Sequence, residues 1–171
     1  MAQANSRRPL LAGNWKMFGR SADLAELPAL AERIGAAGSK IEALICPTAP
    51  YIAAAVAAAR GSEIAVGGQD CSAVAEDSAR TGEVSAGMLA DAGARYVILG
   101  HSERRAQHGE SDGLVAKKAN AAIAAGLVPI VCVGETRADR DAGKELEVVA
   151  IQVRQSIPTA EGPFAVAYEP V

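Results

Sequence analysis

Short apolar runs alternate with longer amphipathic stretches along most of this chain. The sharpest run is Tyr96-Val97-Ile98-Leu99, four apolar residues in a row before Gly100. A run of that kind predicts a strand buried on both faces, as in a parallel sheet. Five more runs have the same character, at residues 9–13, 41–47, 63–67, 127–133 and 164–168.

Helical patterns fill the spaces between them. Leu24, Leu27, Leu30 and Ile34 recur at helical spacing behind Asp23-x-x-Glu26, which resembles a capping box. Pro28 inside that pattern predicts a kink or a later true start. Thr48 stands where it can cap an alanine-rich helix running to Arg60, with Pro50 in the first turn. Ser85 caps a short helix carrying Met88 and Leu89 and closed by Gly93. Ser111-Asp112 opens a helix with Leu114, Val115, Ala119 and Ile123 on one face and Gly126 as its stop. Leu146, Val149, Ala150, Val153 and Ile157 stripe the last helix, ahead of Pro158. One long polar connection, from Cys71 to Glu83, carries neither pattern, and loops of that length usually serve a site or an interface.

Strand and helix alternate throughout, with no tight hairpin signal, which predicts a parallel sheet with helical crossovers. A doubly wound open sheet and a (β/α)8 barrel both fit. No GxGxxG follows the first strand and no GxxxxGK[ST] occurs, so the nucleotide-binding open sheets lose support. Lys16, Asp70, His101 and Glu169 stand just past the ends of four different strands, which favours the barrel, where many strands feed one site.

Composition narrows the partners more than the fold. At 171 residues, 50% hydrophobic and 22% charged, the chain is long and apolar enough for a single globular domain, and disorder is excluded. A net charge of −3 without a basic block argues against nucleic acid and against an anionic membrane surface. No run is long enough to span a bilayer, and the opening residues lack the apolar core of a signal peptide. Cys46, Cys71 and Cys132 are odd in number and widely spaced, so they read as small apolar residues in a reducing cytosol rather than as a disulfide or metal set.

Candidate chemistry gathers at the strand ends. His101 follows the sharpest strand, Ser102 stands at the expected N-cap of the next helix, and Glu103 lies in its first turn. The positive end of a helix favours a neutral imidazole, which can donate a hydrogen bond to a substrate oxygen; the plainer alternative is a histidine that satisfies a backbone carbonyl. Asn14 and Lys16 flank Trp15 directly after the first strand, facing either a pocket or solvent. Glu169 is a candidate general base, and Lys16 a fixed charge for oxyanion stabilisation. A carboxylate, an imidazole and an ammonium form a minimal set for abstracting a proton beside a carbonyl.

Asn14-Trp15-Lys16, the segment from Tyr96 to Arg105 and Ala167-Tyr168-Glu169-Pro170-Val171 resemble signature segments of the triosephosphate isomerase family. Thr81-Gly82-Glu83-Val84-Ser85, Gly126-Leu127-Val128-Pro129-Ile130 and Cys132-Val133-Gly134-Glu135 are similar as well, and the resemblance runs from about Leu10 to Val171. It implies a TIM barrel that interconverts dihydroxyacetone phosphate and D-glyceraldehyde 3-phosphate through an enediolate. Glu169 would move the proton between carbons, His101 would serve the two oxygens, Lys16 would stabilise negative charge and Asn14 would help position substrate. Ser102, Glu103 and Arg104 would support them. No metal and no organic cofactor is implied. The family is dimeric, so the Cys71-to-Glu83 loop would insert into a second copy, bringing Thr81 to the partner's Asn14 and the partner's Glu103.

A complete barrel takes roughly 250 residues in eight units, so 171 residues account for about six. The expectation is one TIM-barrel domain over residues 1–171, truncated after the sixth strand, ahead of the family's phosphate-covering lid and phosphate-gripping loops. Such a chain alone is expected to be poorly active; the alternative function is a fragment that acts only by assembling with other chains. A different barrel enzyme acting on a phosphosugar is the third possibility.

Overall fold

The computed structural model describes residues 8–37 and 40–170; the signal-peptide reading of residues 1–7 and the motif residue Val171 lie outside them. Six strands form one parallel sheet in the order β1-β2-β3-β4-β5-β6. They are Leu10–Asn14, Glu42–Cys46, Ile64–Gly68, Tyr96–Leu99, Val128–Val133 and Ala165–Tyr168. Each strand pairs with its successor in sequence, from Leu10 opposite Glu42 to Val133 opposite Tyr168. A doubly wound sheet reverses its order at a switch point; this one never does, so it curls into six units of a (β/α)8 barrel.

The two faces of the sheet build two cores. Leu44, Cys46, Ala65, Tyr96, Ile98, Ile130 and Cys132 pack on the concave side. Their neighbours in sequence, among them Ala43, Ile45, Val66, Val97, Leu99 and Val131, pack outward beneath the helices. Period-two alternation thus sends successive residues to opposite apolar environments, which is why the inner strands read as unbroken apolar runs. The outermost strands depart from that expectation. In β1 and β6, Leu11 is 61% exposed and Val166 44% exposed, each strand having a neighbour on one side only among the described residues.

Among the described residues seven α-helices cross over: α1 (Glu26–Ala37), α2 (Ile52–Ala58), α3 (Ala86–Asp91), α4 (Ser102–His108), α5 (Asp112–Ala124), α6 (Arg137–Asp141) and α7 (Glu145–Ser156). Pro28 falls in the first turn of α1, where it is tolerated. The Asp23 carboxylate accepts from the Arg20 N–H at 2.6 Å, so Arg20, not Asp23, occupies the cap of the 3-10 turn that precedes α1. Thr48 stands at the head of a second such turn, yet its side chain accepts no capping bond. Ser85 and Ser111 cap α3 and α5 as their sequences predict, accepting from Met88 and Leu114. The stripe on α7 starts late: Leu146 is 82% exposed, and Val149 and Val153 do the packing. The short helix α6, opened by a Thr136–Asp139 capping box, has no counterpart in the sequence reading; its five residues give no measurable period.

Leu99 is fully buried in β4, where the sheet meets α5. Leu99→Ala is expected to destabilise the fold by about 2–5 kcal/mol, read from the urea midpoint at unchanged slope.

Candidate active site

Because all strands run parallel, their C-terminal ends share one rim, and Lys16 sits there two residues beyond β1. Its backbone is left-handed, with φ of +53°, an uncommon state for a side chain with a Cβ. Three contacts hold that turn. The Lys16 N–H donates to Asn14 Oδ1 at 2.9 Å. Gln69 Nε2, from the end of β3, donates to the carbonyls of Lys16 and Cys46, both at 2.8 Å. Lys16 Nζ donates to Glu103 Oε1 at 2.7 Å. That bond pushes the ammonium pKa up and pulls the Glu103 carboxyl below its ordinary value.

His101, not Ser102, is the N-cap of α4: its Nδ1 accepts from the Glu103 N–H at 3.2 Å. Ser102 becomes the first helical residue, because Gly100 (φ +65°) already turns the chain. A Cβ at Gly100 would stand 2.7 Å from a Val115 methyl. With its Nδ1 lone pair engaged, a neutral imidazole carries its proton on Nε2, and Nε2 lies 3.3 Å from Glu169 Oε2. Glu169 follows β6; its N–H donates to the Val133 carbonyl at 2.8 Å, and its side chain is 45% exposed.

The structure therefore brings Lys16, His101 and Glu169 to one mouth, where Glu103 joins Lys16 to His101 and His101 faces Glu169. A cavity of ≈ 950 Å³ opens beside Asn14, Lys16, His101 and Glu103 and runs toward the loop from Cys71 to Glu83. Glu169 lies in a separate small cleft with Ser102 and Gly134. Thr81 is exposed in the loop. Asp70 takes a structural place: Lys118 Nζ reaches its two oxygens at 2.7 and 2.9 Å, and Arg104 pairs with it at 2.9 Å. Lys118 and Arg104 also bind the buried Glu110, at 2.6 and 2.5 Å.

Several supporting residues escaped the sequence. Arg105 Nε donates to the Gly100 carbonyl at 2.7 Å and its Nη2 to the Cys132 carbonyl at 3.0 Å, tying the ends of β4 and β5 together. Asp112 and Ser156 receive its remaining donors. Fully buried Glu135 accepts from Arg140 and from the Tyr168 hydroxyl. Burial works to raise its pKa, but these bonds and its backbone hold it below the ordinary value. Lys118 and Gln69 carried a sequence signal only in retrospect, as polar residues inside apolar patterns. Among the described residues no cluster of three or more His, Cys, Asp or Glu is placed to hold a metal ion, and no helix is long and apolar enough to cross a membrane.

Fold and site together define a (β/α)8-barrel protein whose carboxylate, imidazole and ammonium converge at the C-terminal mouth. The family model for Triosephosphate isomerase matches residues 9–171, and the chain belongs to the triosephosphate isomerase family. A triosephosphate isomerase from Afipia carboxidovorans is 57% identical over 166 residues, covering 96% of this chain and 66% of that relative. One from Ruegeria pomeroyi is 53% identical over 167 residues, covering 96% and 65%. The chain thus spans slightly under two thirds of the length of these curated relatives. The crystal structure of triosephosphate isomerase from Bartonella henselae superposes with a TM-score of 0.91 at 44% identity, covering 96% of this chain and 69% of that one.

The Glu110–Lys118–Asp70 cluster predicts a pH signature. Burial acts to raise the Glu110 pKa, yet Lys118 and Arg104 prevail and hold it below its ordinary 4.5. For Asp70 burial prevails, and its pKa rises above 3.8. A depressed carboxyl stabilises the fold above its unfolded pKa and loses that contribution as pH falls through the folded value; a raised one acts oppositely. Lys118→Met is therefore expected to cost on the order of 3–5 kcal/mol near neutral pH. The cost should shrink below about pH 4, as the stranded carboxyls protonate. Urea unfolding at both pH values checks this; an undiminished cost in acid would mean that packing, not charge, holds Lys118.

Proposed function

We propose that the chain carries the catalytic face of a triosephosphate isomerase, interconverting dihydroxyacetone phosphate and D-glyceraldehyde 3-phosphate. The observation that carries this reading is the continuous contact from Lys16 through Glu103 to His101, and from His101 Nε2 to Glu169 at 3.3 Å. A glutamate base and a neutral histidine do this chemistry in triosephosphate isomerases at large. The Glu169 carboxylate removes a proton from the hydroxymethyl carbon of dihydroxyacetone phosphate. The electron pair of that C–H bond forms the enediolate double bond, and the carbonyl pair moves onto oxygen. His101 donates from Nε2 to that oxygen, and the Lys16 ammonium stabilises the charge. His101 then relays a proton between the two oxygens, and Glu169 returns its proton to the neighbouring carbon. Asn14 positions the substrate and, through Oδ1, the Lys16 turn. Ser102, Glu103 and Arg104 support these groups, and no cofactor enters any step.

Homodimerisation through the loop from Cys71 to Glu83 belongs to the same reading, with Thr81 meeting the partner's Asn14 and the partner's Glu103. Its support is the loop's exposure and its pinned base, where the Ser72 N–H donates to the Val84 carbonyl at 2.8 Å and Ser72 Oγ donates to Glu83. A glycolytic and gluconeogenic role in the cytoplasm accords with three free, buried cysteines. A second reading is favoured by the uncovered outer edges of β1 and β6 with Leu11, Val166 and Tyr168 exposed: residues 1–171 alone turn over poorly and act by pairing their sheet with other chains. Sedimentation of the isolated chain tests it: association beyond a dimer is the expected result, and a discrete dimer or a monomer overturns it.

Isomerisation by a fusion of residues 1–171 to the part of the Afipia carboxidovorans relative that they do not cover tests the main reading. Turnover is expected, and Glu169→Gln is expected to lower kcat by orders of magnitude with an unchanged circular dichroism spectrum. Equal turnover in the variant removes Glu169 from the role of base.

A further inference from the structure

Helix α7 packs on β5 and α5 through aliphatic residues such as Val149 and Val153, yet half-buried Gln152 lies among them. Both polar ends of its carboxamide bond the same residue. Gln152 Oε1 accepts from the Gly134 N–H at 2.7 Å, and Nε2 donates to the Gly134 carbonyl at 3.1 Å. Only a side chain with both a donor and an acceptor can do this, and two bonds to one residue fix the peptide planes on both sides of it. Gly134 directly follows β5, and the Glu169 backbone rests on it. A Cβ there would overlap the Glu169 carbonyl oxygen and stand 3.1 Å from Pro170 N. The adjacent residue, Val133, accepts from the Glu169 N–H. β6 is an edge strand, and the Glu169 side chain is 45% exposed. Its carboxylate is therefore aimed mainly by the backbone beneath it.

We propose that Gln152 is a positioning residue for Glu169, acting through the Gly134 peptide that it clamps at both ends. The inference rests on the reading of Glu169 as the base opposite His101. Loss of the clamp lets the segment after β5 rotate, and the Glu169 backbone in contact with Gly134 moves with it. Gln152→Met keeps the length and loses both bonds; Gln152→Glu keeps the acceptor and loses the donor.

Two measurements on the 171-residue chain test this. Gln152→Met is expected to speed hydrogen exchange at the Glu169 amide roughly tenfold, the scale of one or two lost hydrogen bonds, with the Val131 amide unchanged; Gln152→Glu should fall between. An unchanged Glu169 amide overturns the proposal, and so does equal acceleration at Val131, which marks a general loss of stability. The second readout is the nitrogen-15 shift of His101 Nε2. Glu169→Gln is expected to move it in the otherwise unsubstituted chain, and by less than half as much alongside Gln152→Met. An equal movement in both backgrounds overturns the proposal. No movement in the unsubstituted chain instead refutes the Glu169–His101 pairing, and the exchange rates still decide the part played by Gln152.

Discussion

Parallel pairing of every strand with its immediate successor sends all six C-terminal ends to one rim. Backbone hydrogen bonds enforce it, and the helical crossovers make it possible. Lys16 and Glu169 are far apart in the chain and belong to the first and sixth units, yet they emerge on the same side of the sheet. Alternation along each strand then divides the apolar residues between a concave and a convex core. Neither core could form if one strand ran the other way.

Charge at the rim is organised by residues that do not themselves resemble reagents. Glu103 is the clearest case, since its N–H meets His101 Nδ1 while its carboxylate holds Lys16 Nζ. One residue thus orients an imidazole and anchors an ammonium. Arg105 does the analogous work on the backbone, bridging the carbonyls that end β4 and β5. Behind the cavity, Lys118 sits between two carboxylates and Arg104 completes the balance, so that each buried charge has an opposite partner. Desolvation is offset there by pairing, the condition under which buried charges are tolerated.

The outer strands show what the interior pairing conceals. Among the described residues β1 and β6 each pair with a strand on one side only and present Leu11, Val166 and Tyr168 to solvent, a surface that invites a further strand. The contrast with β4, buried along its whole length, is one of neighbours rather than of composition.

Periodicity in the sequence determined the six strands, the parallel sheet and the strand-end positions of Lys16, His101 and Glu169, and those polar strand ends, with no nucleotide-binding glycine motif, favoured the barrel over a doubly wound fold. Those features are local, because an apolar run, a capping serine or a stop glycine acts through residues a few positions away. The cap of α4 lies one residue earlier than the sequence predicts, since Gly100 turns the chain and the imidazole itself receives the Glu103 N–H. Gln69, Lys118 and Gln152 gave no comparable signal, and the motif that contains Arg105 did not show what Arg105 binds. Each makes at least one bond to a residue 18 to 53 positions away, which tertiary structure alone decided. A lone polar side chain in an apolar pattern reads the same whether it faces water or clamps a distant peptide, and only the folded sheet supplies the second partner.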